Sequence, residues 1–169
     1  MHEYTVVDNF LEKTEYEKLK SLILSSEFPW RKRNHLTGDS KEDNIGYFTY
    51  NFFNNFNVRS PEFETHIIPI LKKLKAFSVI EARANLFIKE FWLNCKPSYH
   101  LDYKHILYNK TSILNLTSCD GGTLLKIEDK EIKINSVENR LITMTGDVFH
   151  STFKNKKTDL RYVLNLNYF

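Results

Sequence analysis

The sequence predicts a mainly β domain with flanking helices (α+β), built as a helix-supported barrel or a double-sheet jelly roll. Three observations predict it. Helical periodicity is confined to the first 77 residues, and about eight short strand-like runs follow from Ser78 onward with no alternating βα pattern. The aromatic share is 14%, with 13 Phe and 9 Tyr, which favours strands. Asp120-Gly121-Gly122 and Glu128-Asp129-Lys130 punctuate the β half as turns. A chain of 169 residues has room for one sizeable core. One domain over 1–169 is expected, with 1–77 as helical support and loop and 78–169 as the β core.

Tyr4 to Val7 reads as a short strand. Thr14 then opens a helix, with Glu17 three residues on as a capping box. Its apolar stripe is Tyr16, Leu19, Leu22 and Ile23, and the helix is expected to end near Phe28 before Pro29-Trp30 turns the chain. Arg31 to Ile45 is the longest polar stretch, a surface loop that serves either as a substrate lid or as a plain solvated connection. Tyr47 to Phe53 is aromatic and strand-like. Ser60-Pro61 reads as an N-cap with proline at the first helical position. The helix after it turns Phe63, Ile67, Ile70, Leu71 and Leu74 inward. Lys72, Lys73 and Lys75 near its end suit a solvated face at the helix C-terminus better than a phosphate patch. Strands are then expected over 79–92, 98–103, 112–117, 123–127, 131–134, 141–145, 148–153 and 160–168.

The bulk numbers exclude several classes. A formal charge of +3 does not by itself argue for nucleic acid. Cys95 and Cys119 have no metal-type spacing and no disulfide framework, and read as two reduced thiols. Met1-His2-Glu3-Tyr4 shows neither a basic n-region nor an apolar h-region, and no stretch reaches the roughly 18 apolar residues of a membrane span. A cytoplasmic protein with no membrane partner is the expectation. Oligomeric state is not legible.

The chemistry concentrates in His100-Leu101-Asp102. On a strand, residues i and i+2 share a face, which puts an imidazole beside a carboxylate. His150, which follows the Gly146-Asp147 turn, would complete a 2-His-1-carboxylate face, the set that suits non-haem Fe(II) with positions open for O2. His105 is a rival, but Asp102-x-x-His105 has helical rather than strand spacing. His2, His35 and His66 lie outside the β half. The bland alternative is a pair of unrelated surface histidines. The last strand alternates cleanly: Leu160, Tyr162, Leu164, Leu166 and Tyr168 on one face, Arg161, Val163, Asn165 and Asn167 on the other. A half-buried strand puts its polar face in water by default. The upstream ligand set favours the inverse, with Arg161 inside a cavity where an anion pairs with it. Thr111, Ile113, Asn115 and Thr117 share a face in the same way, as do His150 and Thr152.

At these residues the chain resembles a known family. His100-x-Asp102, His150 and the closing Arg161-Tyr-Val-Leu-Asn-Leu-Asn-Tyr-Phe169 look like the 2-oxoglutarate- and Fe(II)-dependent oxygenases, nearest their prolyl-hydroxylase-like branch of compact phage and bacterial members. Val6-Val7-Asp8-Asn9-Phe10-Leu11, Phe28-Pro29-Trp30, Asn85-Leu86-Phe87, Gly121-Gly122-Thr123-Leu124-Leu125 and Asn139-Arg140-Leu141-Ile142 resemble pieces of such proteins in the same order. The resemblance implies a cupin-like double-stranded β-helix, with His100, Asp102 and His150 as catalytic iron ligands. It implies Arg161 as partner of the distal carboxylate of 2-oxoglutarate, with Asn85, Asn115 and Tyr108 as further cosubstrate contacts. It implies consumption of 2-oxoglutarate and O2 as a protein residue or small molecule is hydroxylated, with release of succinate and CO2. Phe87 and Asn115 stand where many members carry Tyr, and Asp102 is a carboxylate that halogenating relatives lack. Two rival functions stay open. One is nucleic-acid dealkylation, with Lys32, Arg33 and Lys72–Lys75 on phosphates. It is disfavoured because Asn167 stands where that branch usually has a second Arg. The other is a non-enzymatic jelly-roll binding module.

Overall fold

The computed structural model describes residues 3–33, 47–89 and 98–169. In chain order these form β1 (Tyr4–Val7), α1 (Lys13–Ile23), β2 (Arg31–Arg33), β3 (Tyr47–Asn54), β4 (Asn57–Val58) and α2 (Ile68–Lys73), the last entered through a π turn at Phe63–Ile67. Then follow β5 (Val79–Ile88), β6 (Lys110–Asn115), β7 (Gly122–Ile127), β8 (Lys130–Asn135), β9 (Leu141–Thr145), β10 (Phe149–Phe153) and β11 (Leu160–Tyr168). The larger sheet runs β1-β9-β6-β11-β5-β3-β2, with β4 paired to β3, and the smaller runs β10-β7-β8. Every pairing in both is antiparallel. This is the jelly roll of a double-stranded β-helix. Of the polar stretch 31–45, expected as a loop or lid, residues 31–33 form β2 and 34–45 lie outside the described residues, as do the expected strand end at 90–92 and Cys95. Cys119 is a free thiol.

Alternation along the strands assigns the two sides of the larger sheet. Ala82 and Ala84 of β5, Leu114 of β6 and Leu164 and Leu166 of β11 pack under α1 and α2 with Tyr16, Leu19, Ile23, Ile67 and Leu71. Fully burying a leucine contributes about 1.5–3 kcal/mol, so Leu164 and Leu166 alone anchor the strand firmly. The other side of the sheet faces β7 and β8. Ile113, Ile142, Met144 and Val163 meet Leu125 and Ile134 there, closing one end of the space between the sheets. β11 is therefore buried on both faces, and the expected inversion of its polar face is what the structure has.

The helices deviate from expectation at their ends. α1 starts at Lys13 with Glu12 at the N-cap and no side-chain cap, so Thr14 sits inside the first turn and the capping box does not form. Asn139 explains the earlier start. Its side chain accepts from the Leu11 amide at 3.0 Å and donates to the Leu11 carbonyl at 2.8 Å, docking Leu11 into the core two residues before the helix. α1 ends at Ile23 rather than near Phe28. Ser25 and Ser26 favour turns over helix. The Phe28 amide bonds back to the Ser25 carbonyl at 3.1 Å, folding the Phe28 ring against Trp30, Tyr50 and Phe52. At Ser60 the turn is held by the backbone, Phe63 amide to Ser60 carbonyl at 3.2 Å, while the Ser60 hydroxyl is buried with no partner among the described residues. The expected cap is absent, but Phe63, Ile67, Ile70 and Leu71 are buried as expected. Lys72, Lys73 and Lys75 lie on this helical side, which is the sheet face opposite the polar one.

The Gly121-Gly122 turn leads into β7 for a packing reason. A Cβ on Gly122 would sit 2.2 Å from the Ile134 carbonyl oxygen of the neighbouring strand. Only glycine lets the two backbones approach that closely.

Candidate active site

His100, Asp102 and His150 come together by a route the strand argument did not foresee. Residues 98–103 are not a strand. His100 makes one isolated bridge to His150, and Asp102 lies in a bend beyond it. The bridge is a reciprocal backbone pair, His100 amide to His150 carbonyl at 2.9 Å and the reverse at 3.0 Å. Residues paired in this way project their side chains to the same face, and the two rings lie 4.6 Å apart. The bend then brings the Asp102 Oδ1 to 3.6 Å from both Nε2 atoms. One donor atom from each residue lies within 4.8 Å of the others.

The imidazoles are oriented from behind. His100 Nδ1 faces the Ser98 carbonyl and His150 Nδ1 the Val148 carbonyl, each at 3.3 Å. Such contacts leave the Nε2 atoms free for a ligand, the arrangement typical of metal-binding histidines. Asp102 Oδ2 accepts from Asn165 Nδ2 at 3.1 Å, which aims Oδ1 at the histidines. Burial pushes the Asp102 carboxyl up, but the two histidines outweigh it and hold it well below the ordinary carboxylate range. Separations of 3.6 Å are too long for hydrogen bonds. They approach the roughly 3 Å between neighbouring donors on one octahedral ion. The donor set, one hard oxygen and two imidazoles on a single face, fits a non-haem iron.

Arg161 occupies the same cavity, 2% exposed. Its Nη1 donates to Thr152 Oγ1 at 2.8 Å, and its Nη2 to Asn115 Oδ1 and Thr123 Oγ1 at 3.2 Å each. The Phe87 ring lies 5.5 Å from the guanidinium carbon, and Nε has no partner among the described residues. All of these hydrogen-bond partners are neutral. Burial pulls the Arg161 pKa down to about 10, so it stays charged at neutral pH. A buried cation without a counter-ion is costly unless something anionic joins it. Tyr47, Arg83, Asn85, Phe87, Ile113 and Asn165 line the same cavity beside the His–Asp–His cluster.

The other expected cosubstrate residues divide. Asn85 lines the cavity at 6% exposure, with Oδ1 unpartnered among the described residues. Asn115 is buried behind Arg161, its Oδ1 held by the Ser136 hydroxyl at 2.8 Å. Tyr108 is not brought to the cavity. It is 92% exposed, in the irregular segment between Asp102 and β6, with φ of 65°. Sequence reasoning passed over Glu81, Arg83, Tyr47 and Thr123, all on the same polar side. A signal was present: Glu81, Arg83, Asn85 and Phe87 alternate along β5 as the polar face of β11 does. The register sets Phe87 opposite Arg161, Asn85 opposite Val163 and Arg83 opposite Asn165.

No family model and no curated protein sequence matches the chain. Solved structures do match its fold. An oxidoreductase of the 2OG-Fe(II) oxygenase family from Burkholderia pseudomallei superposes with a TM-score of 0.74 at 13% identity, covering 98% of this chain and 84% of that one. A prolyl hydroxylase from Trichoplax adhaerens, in complex with a hypoxia inducible factor oxygen degradation domain peptide fragment, gives 0.68 at 14% identity, covering 98% and 83%. The non-haem α-ketoglutarate-dependent epimerase SnoN from nogalamycin biosynthesis gives 0.69 at 11% identity, covering 98% and 77%. The chain therefore has the double-stranded β-helix fold of the 2-oxoglutarate- and Fe(II)-dependent oxygenases, prolyl hydroxylases among them, and carries a His–Asp–His cluster and a buried arginine in its central cavity.

Proposed function

We propose that this chain is an Fe(II)- and 2-oxoglutarate-dependent dioxygenase that hydroxylates a protein residue or a small molecule. The observation that carries the reading is the charged, buried Arg161, whose partners among the described residues are all neutral and which shares a cavity with the His–Asp–His cluster. A cation placed so fits a dicarboxylate whose far end it grips in a fork. One structural neighbour, SnoN, is described in complex with Fe3+, α-ketoglutarate and nogalamycin RO, which supports the pairing of metal and cosubstrate in this fold.

In this reading His100, Asp102 and His150 hold Fe(II), and Arg161 holds the distal carboxylate of 2-oxoglutarate. Bound there, Fe(II) with 2-oxoglutarate and O2 supplies the oxidising power for a substrate C–H bond, with release of succinate and CO2. Thr152, Thr123 and Asn115 aim the Arg161 guanidinium. Phe87, Ile113 and Val163 line the cavity and keep it poor in competing water. Asn165 keeps Asp102 turned toward the histidines.

The test is turnover. Protein loaded anaerobically with Fe(II) should release succinate from 2-oxoglutarate on exposure to O2, and Asp102→Ala should abolish it. A product one oxygen atom heavier than its substrate supports hydroxylation, whereas unchanged mass points to epimerisation. No succinate after full iron loading and a broad substrate screen would count against the reading.

A further inference from the structure

Arg83 is the second arginine of this cavity, and the cosubstrate reading gives it no task. It projects from β5 on the polar side, with its side chain 13% exposed. Its ion pair among the described residues is one 3.4 Å contact from Nη1 to Glu81 Oε2. That is far from the fork that a guanidinium and a carboxylate make when they fully satisfy each other. The other Glu81 oxygen already accepts from Asn54 Nδ2 at 3.0 Å. Arg83 Nε is buried and has no partner among the described residues. Two acceptors beside it are equally unmet. Asn165 Oδ1, directly opposite in the sheet register, and Asn85 Oδ1, two residues along on the same face, are buried without donors there.

Unpaired buried groups of this kind cost about 1–3 kcal/mol each, so several together in one lined cavity mark a surface built to meet a ligand. We infer that Arg83 is a specificity-determining residue that anchors the carboxylate of a small amino or hydroxy acid, the primary substrate. Asn85 and Asn165 accept hydrogen bonds from the hydroxyl or ammonium next to that carboxylate. The inference rests on the dioxygenase reading and narrows its substrate class. Position supports it. Asn165, which stands opposite Arg83, donates to Asp102, so the anchor lies beside the metal face. A carbon only a few bonds from the carboxylate is then the one presented for oxidation. Arg161 stands opposite Phe87, four residues further along β5, so the two cations can hold different carboxylates.

The experiment loads the protein with Mn(II) and 2-oxoglutarate under nitrogen. It measures paramagnetic broadening of proton signals from the common L-amino acids and their 2-hydroxy analogues, each beside its primary amide. At least one acid should bind about 10-fold or more tightly than its amide, as charge-assisted pairing to a guanidinium requires. Arg83→Gln should erase that preference while 2-oxoglutarate is still broadened. Glu81→Gln, which frees the guanidinium, should tighten the same acid, and this variant still discriminates if Arg83→Gln fails to fold. No acid preferred over its amide, a preference that survives Arg83→Gln, or no tightening in Glu81→Gln would each overturn the proposal. If 2-oxoglutarate itself is not broadened in the wild-type protein, the dioxygenase reading falls and takes this proposal with it. Broadened 2-oxoglutarate with no acid preference sinks the proposal alone.

Discussion

The amides of His100 and His150 donate to each other's carbonyl oxygens, at 2.9 and 3.0 Å. The link is backbone to backbone, so it survives substitution of either side chain. His100→Ala should therefore keep the fold and lose only a donor. Wild-type protein with Mn(II) at about 100 times its dissociation constant should gain about 2.7 kcal/mol, removed by a chelator. Thermal melts of His100→Ala should show no such gain. A metal shift of wild-type size in the variant would contradict the donor role.

Arg161 separates binding from stability. Replacing it with Lys keeps the charge but loses the fork, and should weaken 2-oxoglutarate about 10–100-fold in titration calorimetry while leaving metal affinity unchanged. Arg161→Met removes a buried cation whose partners among the described residues are all neutral. The ligand-free variant should be as stable as wild type or about 1–4 kcal/mol more so in denaturant. Equal losses of metal and 2-oxoglutarate binding in the Lys variant would contradict the assigned role.

Asn165 acts through Asp102. Its Nδ2 donates to Oδ2 at 3.1 Å, leaving Oδ1 for the metal side. Asn165→Ala should lower Mn(II) affinity about 10–100-fold, the usual cost of losing an outer partner of a ligand. Competition with a fluorescent chelator reads this directly, and undiminished affinity would sink the idea.

Asp120 ties the turn before β7 to the loop before β11. Desolvation pushes its carboxyl up, but the Lys156, Lys157 and Thr158 amides that donate to it outweigh this and hold it at about 2, against an ordinary 3.8. A carboxyl depressed on folding contributes stability above its unfolded value and loses it as pH falls through its folded value. Wild type should thus exceed Asp120→Ala in stability by a constant margin at neutral pH. The margin should shrink from about pH 3.8 down to about 2. Chemical denaturation across that range checks it, and a margin independent of pH would show that the carboxylate charge plays no part.

Much of the fold is legible in the sequence because period-two alternation is a local property. The polar and apolar faces of β11 can be read from nine residues, and so can the inward set Phe63, Ile67, Ile70 and Leu71 from their helical spacing. Where local rules compete with distant partners, they lose. Thr14 and Glu17 satisfy the capping-box pattern, yet Asn139, more than a hundred residues away, decides where α1 begins. Tyr108 is expected among the cosubstrate contacts, but the irregular segment after Asp102 leaves it exposed to solvent. Arg83 escapes a reading of the sequence because Glu81, two residues before it, makes a half-buried, self-neutralising strand the simpler interpretation.

The sequence by itself determined the ingredients: a helical start, a run of short strands, two histidines, a carboxylate, and an arginine on the polar face of the last strand. Tertiary structure decided which side of each strand is inside. Alternation defines two faces but cannot say which one meets water, and that depends on where α1 and α2 dock. It also decided how the metal-type cluster is built. His100 and Asp102 are brought to one face by a single backbone bridge to His150 and a bend, with Asp102 held by Asn165, so the pairing of distant segments and not a local strand builds the cluster.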